Sequence, residues 1–247
     1  MAFWRTVVPP SRRRRSVVYP AAVLDLPVAA GGERQRLLEA APLFRALECG
    51  GVRFFVDSDF SHLVHDTLPD NVLTTDGRDL ESYIFHPGCA ERLLSQGLAH
   101  DSHDVAVVLA TLSQVCRPLG VLRLVDFKHR LALPFQRSFA RGYGKFLDGA
   151  GTSVALKVDR VMRTLLQNSE HGLGKREWLL AEFRSENSNC AALADEAVVH
   201  GHDLVGVLAS LLDMKPQSAE ALVFLSIQPD DVRQRANAAQ AIAWLES

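Results

Sequence analysis

Residues Val52-Arg53-Phe54-Phe55-Val56 form an apolar run that ends on Asp57-Ser58-Asp59-Phe60. Successive side chains of a β-strand alternate between faces, so Asp57 and Asp59 are expected to present two carboxylates to one side. Two converging carboxylates repel each other and are most easily kept ionised by a bound cation, for which hard oxygen ligands suit Mg²⁺ or Mn²⁺. Ligands of open α/β sheets bind beyond the carboxyl ends of the strands, and the pair falls at such an end. The competing expectation is a surface turn, where aspartates are common.

The elements that must position this pair follow from periodicity. Residues 17 to 28 look extended and Gly31-Gly32 turns the chain. Leu37, Leu38, Ala41, Phe44 and Leu47 then recur at helical spacing, with a kink or restart expected at Pro42. Strand, helix and the Asp57 strand in that order predict a parallel sheet with a right-handed crossover. Residues 61 to 74 read as a polar loop. In the stretch after it, Asp79 and Glu81 share a face if the backbone is extended and diverge by about 200° if it is helical. Beyond residue 90 the pattern is mostly helical: Val105, Val108, Leu109, Leu112 and Val115 mark one helix, and Val154, Val158, Val161, Met162 and Leu165 another. Further helices are expected at 175–184, 202–213, 217–226 and 230–245. Residues 121 to 139 read as a strand pair that carries Arg123, Lys128, His129, Arg130 and Arg137.

Composition narrows the classes. With 247 residues, 47% of them hydrophobic, the chain can hold one large or two modest domains. No apolar run is expected to approach the roughly 20 residues that span a bilayer, and the N-terminus has arginines where a signal segment would be apolar, which predicts a cytoplasmic protein without membrane contact. Cys49, Cys89, Cys116 and Cys190 form no close pair, so reduced thiols are expected rather than a zinc site or disulfides. The net charge of −2 hides an asymmetry: residues 1 to 18 hold five arginines and no acid, leaving 22 basic against 29 acidic groups, or −7, for the rest. The body is therefore not a general polyanion binder, while Arg12–Arg15 would either touch phosphate backbones or remain a solvated arm. His200 and His202 read as helix-capping groups before metal ligands, and Trp178, Phe183 and Trp244 as core.

An apolar strand followed by Asp-x-Asp fits three enzyme classes. A haloacid-dehalogenase-like phosphatase would use the first Asp as nucleophile with a later acidic cluster, nearest matched by Asp230-Asp231, although those acids also suit the first turn of a helix. A sugar-nucleotide transferase is expected to carry a larger nucleotide domain ahead of the motif. The third class fits best. Residues 27 to 85, with Gly31-Gly32-Glu33 opening a helix, the strand ending Val56-Asp57-Ser58-Asp59-Phe60, and then Leu80-Glu81-Ser82-Tyr83, resemble the DUF4435 family, a branch of the Toprim-type nucleases related to the overcoming-lysogenization-defect proteins. The family's motifs read approximately Asp-x-Asp-Phe and Ile-Glu-Asn-Tyr, and Gly201-His202-Asp203-Leu204 is similar to its Gly-(Lys/His)-Asp-Leu segment, so the likeness extends loosely over residues 27 to 215.

The resemblance implies an α/β fold, Toprim-like (Rossmann-like) with a mainly parallel sheet over residues 19–100. A basic, disordered arm over 1–18 would precede it and a mostly helical region over 101–247 would follow. It implies a metal-dependent nuclease in which Asp57, Asp59 and Glu81 bind Mg²⁺ or Mn²⁺, with Asp79, Lys128 and His129 supporting the site or contacting phosphate. A nucleic acid substrate, an ABC-type ATPase partner in anti-phage defence and a homo-oligomeric assembly come with it. One departure stands out. The family's early Glu-Gly turn, whose glutamate is taken to be catalytic, has no counterpart in the acid-free stretch Pro9 to Arg15, and Asp25 and Glu33 are the nearest acids. The alternative expectation is therefore a Toprim-like subunit without catalysis that regulates an ATPase.

Overall fold

A computed structural model describes residues 4, 7, 8, 16–23, 32–64, 66–97, 104–149 and 153–247, and by its packing the chain divides into two units, residues 1–83 with 227–247, and residues 84–226. The architecture is mixed α/β and 64% helical, and among the described residues the parallel sheet has two strands rather than the larger number expected.

In the first unit, helix α1 (Glu33–Ala46) has Glu33 in its first turn and Arg45 in its last, matching the helix dipole at both ends. Pro42 lies inside α1 on an exposed position and neither breaks nor restarts it, although it removes the backbone hydrogen bond that its position would have made to the Leu38 carbonyl. Ala40 and Ala41 are fully buried against strands β1 (Phe54–Val56) and β2 (Val72–Thr74), with Leu37, Leu38 and Phe44 around them. The strands run parallel, with Phe54 opposite Val72 and Val56 opposite Thr74. The polar loop expected over 61–74 thus ends in a strand. Three residues are too few to show a period of two, and Val72-Leu73 alone gave no pattern. The described residues 17 to 23 form no strand: 16–20 are irregular and Ala21–Val23 is a 3₁₀ turn, the rest of the expected strand lying outside the described residues.

Asn71 ties β2 to α1 by donating its side-chain amide to the Ala41 carbonyl at 2.9 Å. The helix Ala236–Glu246 packs on β2, and the Asp76 carboxylate accepts from the backbone N–H groups of Asn237 (2.8 Å) and Ala238 (3.0 Å) in its first turn. Two otherwise unpartnered donors are met by a negative charge at the positive end of the helix. Trp4, Val7 and Val8, within the stretch expected to be an arm, are buried, and the Trp4 ring meets Phe55 edge-on at 4.6 Å. Arg12–Arg15 lie outside the described residues.

The second unit is built on the helix Val105–His129, capped by the Asp104 carboxylate on Ala106 N–H at 2.8 Å. Its buried stripe continues through Leu119, Leu122 and Val125, so residues 121–129 are helical and the expected strand pair is not formed. The spacing of three carried past Pro118, and only Arg130, in the left-handed conformation at φ 51°, ends it. A second expectation needs correction here. From Val105 to Leu122 the one charged residue is Arg117, and by length and hydropathy this helix could cross a membrane; 44% of its most apolar window is buried inside the protein.

The helix Gly201–Leu211 packs on the helix Val105–His129 through a buried ion pair. Asp203 receives Arg123 Nε at 2.6 Å and Nη2 at 2.7 Å, and the Tyr143 hydroxyl donates to it at 2.6 Å. Burial opposes the charge, yet the Arg123 guanidinium and these hydrogen bonds hold the Asp203 carboxyl down to about 2.

Candidate functional site at the end of the first strand

The strand ends at Val56, before either aspartate. Asp57 and Ser58 continue without regular structure, and Asp59 adopts φ 49°, a left-handed conformation that aspartate tolerates better than most residues. The chain turns over residues 59–64. Strand alternation, on which a shared face for Asp57 and Asp59 was expected, therefore does not govern the pair: one acid follows the strand and the other belongs to a turn.

Arg34, in the first turn of α1, organises this turn. Its Nε donates to the Asp57 carbonyl at 2.8 Å and lies 3.1 Å from Asp59 Oδ2, while Nη2 donates to Ser61 Oγ at 2.6 Å. A guanidinium thus supplies positive charge to Asp59. Nothing in the local sequence pointed to Arg34, which lies 23 residues before Asp57.

The later motif serves the backbone. Asp79 is buried and its Oδ1 accepts the Ser82 N–H at 3.1 Å, while Ser82 Oγ donates to the Asp79 carbonyl at 2.5 Å, so this acid caps the 3₁₀ turn Glu81–Phe85. Glu81, the first residue of that turn, is also buried. The carboxylates of Asp57, Asp59 and Glu81 do not bring one oxygen each within 4.8 Å of one another.

Lys128 and His129 belong to the other unit, at the C-terminal turn of its long helix. Lys128 Nζ reaches both Glu186 oxygens at 2.8 Å and His129 Nε2 lies 3.1 Å from Glu182 Oε2, so both engage the neighbouring helix Arg176–Asn189. Asp231 sits in the first turn of the helix Pro229–Arg233 and accepts the Gln228 N–H at 2.9 Å, the capping role its position suggested.

A cavity of about 450 Å³ lies beside the turn, lined by Ser58, Ser61, His62, Asp66, Leu68 and Thr74. It is the middle residue of Asp-Ser-Asp that lines it. Ser58 is nearly buried and its N–H donates to Thr75 Oγ1 at 2.9 Å; Thr75 Oγ1 in turn donates to the Gly77 carbonyl at 2.7 Å. Ser58 Oγ and His62 Nδ1 share a hydrogen bond of 2.9 Å. Burial, and then the positive charge of Arg78, lower the His62 pKa below its ordinary value and favour the neutral ring. Arg78 lies over the Phe60 ring at 3.7 Å, and its carbonyl accepts the Asp59 N–H at 2.9 Å.

Asp57 and Asp59 are the acids that follow this strand, and at Asp59 the Arg34 guanidinium supplies the positive charge. No protein-family model, curated protein or solved structure matches this chain.

Proposed function

We propose that this chain is a divalent-metal-dependent phosphodiesterase of the Toprim-like kind its motifs resemble, acting on nucleic acid, with Asp57 and Asp59 as the metal ligands. One observation carries the reading: both acids follow directly on the carboxyl end of β1, beside a parallel β2, at the edge where open α/β sheets take their ligands. Mg²⁺ or Mn²⁺ bound there supplies Lewis acidity to a phosphodiester. The residues do the rest: Asp57 and Asp59 hold the charge in place, and Arg34, once released from Asp59, offers its fork to a phosphate oxygen. The anti-phage setting and an ABC-type ATPase partner belong to the same proposal and rest on the motifs alone. Purified protein with Mg²⁺ or Mn²⁺ should cleave plasmid, single-stranded DNA or tRNA weakly, and Asp57→Asn should abolish the cleavage. Robust turnover that survives chelation or Asp57→Asn would move the active site elsewhere.

A second reading has its own support. Because Arg34 already compensates Asp59, the same site fits a Toprim-like partner that has exchanged its metal for a guanidinium and regulates an ATPase without cleaving. Arg34→Ala separates the two. On the enzyme reading it opens Asp59 and tightens Mg²⁺ binding; on the regulatory reading it only loosens the turn.

A further inference from the structure

We propose that Asp148-Gly149 is a site of spontaneous covalent modification, where the main chain passes through a succinimide to isoaspartate. The reaction needs an aspartate whose side-chain carbonyl carbon can be reached by the next backbone nitrogen, and a following glycine obstructs that approach least. Asp-Gly occurs twice in this chain, at Asp76-Gly77 and at Asp148-Gly149. The fold holds the first and leaves the second open.

Asp148 ends the strand Leu147–Asp148, which pairs antiparallel with Ala155–Leu156. The Lys157 N–H donates to the Phe146 carbonyl at 2.8 Å, and hydrogen-bonded pairs alternate along such a ladder. Asp148 and Ala155 are therefore the next bonded pair, and the Gly149 N–H is directed away from the partner strand. Asp148 and Gly149 are both exposed. Among the described residues the Asp148 carboxylate meets Lys157 Nζ at 3.1 Å, an exposed ion pair that holds it weakly. Gly149 adopts φ 88°, and a Cβ there would run into the Ser153 carbonyl, so the turn requires the very residue that leaves its nitrogen accessible. The other pair is locked. Asp76 accepts from the Asn237 and Ala238 N–H groups and, at 3.2 Å, from the Tyr83 hydroxyl, while Gly77 is buried. Turning the Asp76 carboxyl onto Gly77 would break these bonds.

In the first step Gly149 N bonds to Asp148 Cγ, and a carboxyl oxygen departs as water with the amide proton and one proton from solvent. Water then opens the ring. Addition at Cγ restores aspartate; addition at the main-chain carbonyl breaks its bond to Gly149 N and leaves isoaspartate, with one extra methylene in the backbone. Atoms and electrons balance without oxidant or cofactor. The carboxyl group that faced Lys157 becomes part of the main chain at the hairpin that leads into the helix Val158–Asn168. None of this depends on the Asp57 and Asp59 reading.

Peptide mapping of the full chain after prolonged warm incubation at neutral pH tests the proposal, with isoaspartate located by electron-transfer fragmentation and by isoaspartyl carboxyl methylation. Isoaspartate should accumulate at Asp148 at least about ten times faster than at Asp76, whose bonds must first open. In denaturant the two sites should react at similar rates. Asp148→Glu keeps the charge toward Lys157 but lengthens the ring that must close, and should remove the signal at that position. No isoaspartate at Asp148, equal accumulation at both sites in the folded chain, or a difference that persists unchanged in denaturant would each overturn the proposal.

Discussion

Arg34 joins the Asp57 carbonyl to the Asp59 carboxylate. With Nε 3.1 Å from Asp59, it would compete with a cation bound there as proposed, so Arg34→Ala should tighten Mg²⁺ binding several-fold by calorimetry. An unchanged isotherm would leave Arg34 as a turn-holding residue only. The pair of aspartates was legible because an apolar strand cannot continue into two charges; Arg34 was not, because contacts across 23 residues leave no local trace. Asp203 shows the same limit. Its Gly201-His202-Asp203-Leu204 setting was visible, but its buried bond to Arg123, 80 residues away, was not. Asp203→Asn should cost about 3–5 kcal/mol in denaturant unfolding, since it leaves the partly buried Arg123 without its counter-charge. The folded-state pKa of Asp203 is about 2, below the usual 3.8, so the stability it contributes is complete above pH 3.8 and is lost as pH falls through 2. Acid unfolding of wild type and Asp203→Asn should therefore converge in that window; parallel curves would mean the carboxylate is not ionised in the fold.

At the scale of elements, helices were easier to read than strands for a physical reason. A helix repeats its buried face over many turns, as Leu112, Val115, Leu119, Leu122 and Val125 do, whereas β1 and β2 have three residues each and show no alternation to count. The helices expected near 175–184, 202–213 and 217–226 are found at Arg176–Asn189, Gly201–Leu211 and Pro216–Ser226, and the one at 230–245 is split into Pro229–Arg233 and Ala236–Glu246. Residues 121–139 read as a strand pair, although over 121–129 the apolar positions keep the helical spacing of the preceding stretch. Two elements carry sharp tests. A Cβ at Gly206 would run into the Tyr143 ring, so Gly206→Ala should destabilise the chain by about 1–3 kcal/mol despite its better helix propensity. Asp76→Ala removes the carboxylate that meets the first turn of the helix Ala236–Glu246 and should cost about 0.5–2 kcal/mol. Equal melting temperatures for either variant and the wild type would show that these contacts are not maintained in solution.

For the molecule as a whole, the mixed α/β class was legible, and among the described residues no large parallel sheet is found: two parallel strands carry the Asp57 end, and helices with a second, antiparallel sheet of Leu147–Asp148 and Ala155–Leu156 make up the rest. The small sheet still does what the larger one would, since it fixes where β1 stops and so where the acids and the cavity begin. Whether that edge binds a metal is the claim on which the proposed chemistry turns, and calorimetry reads it most directly. Titration of Mg²⁺ or Mn²⁺ into the wild-type chain should give a saturable isotherm that disappears in Asp57→Ala/Asp59→Ala at an unchanged melting temperature. An isotherm indistinguishable between the two proteins, or none in either, would contradict a metal site at the end of β1.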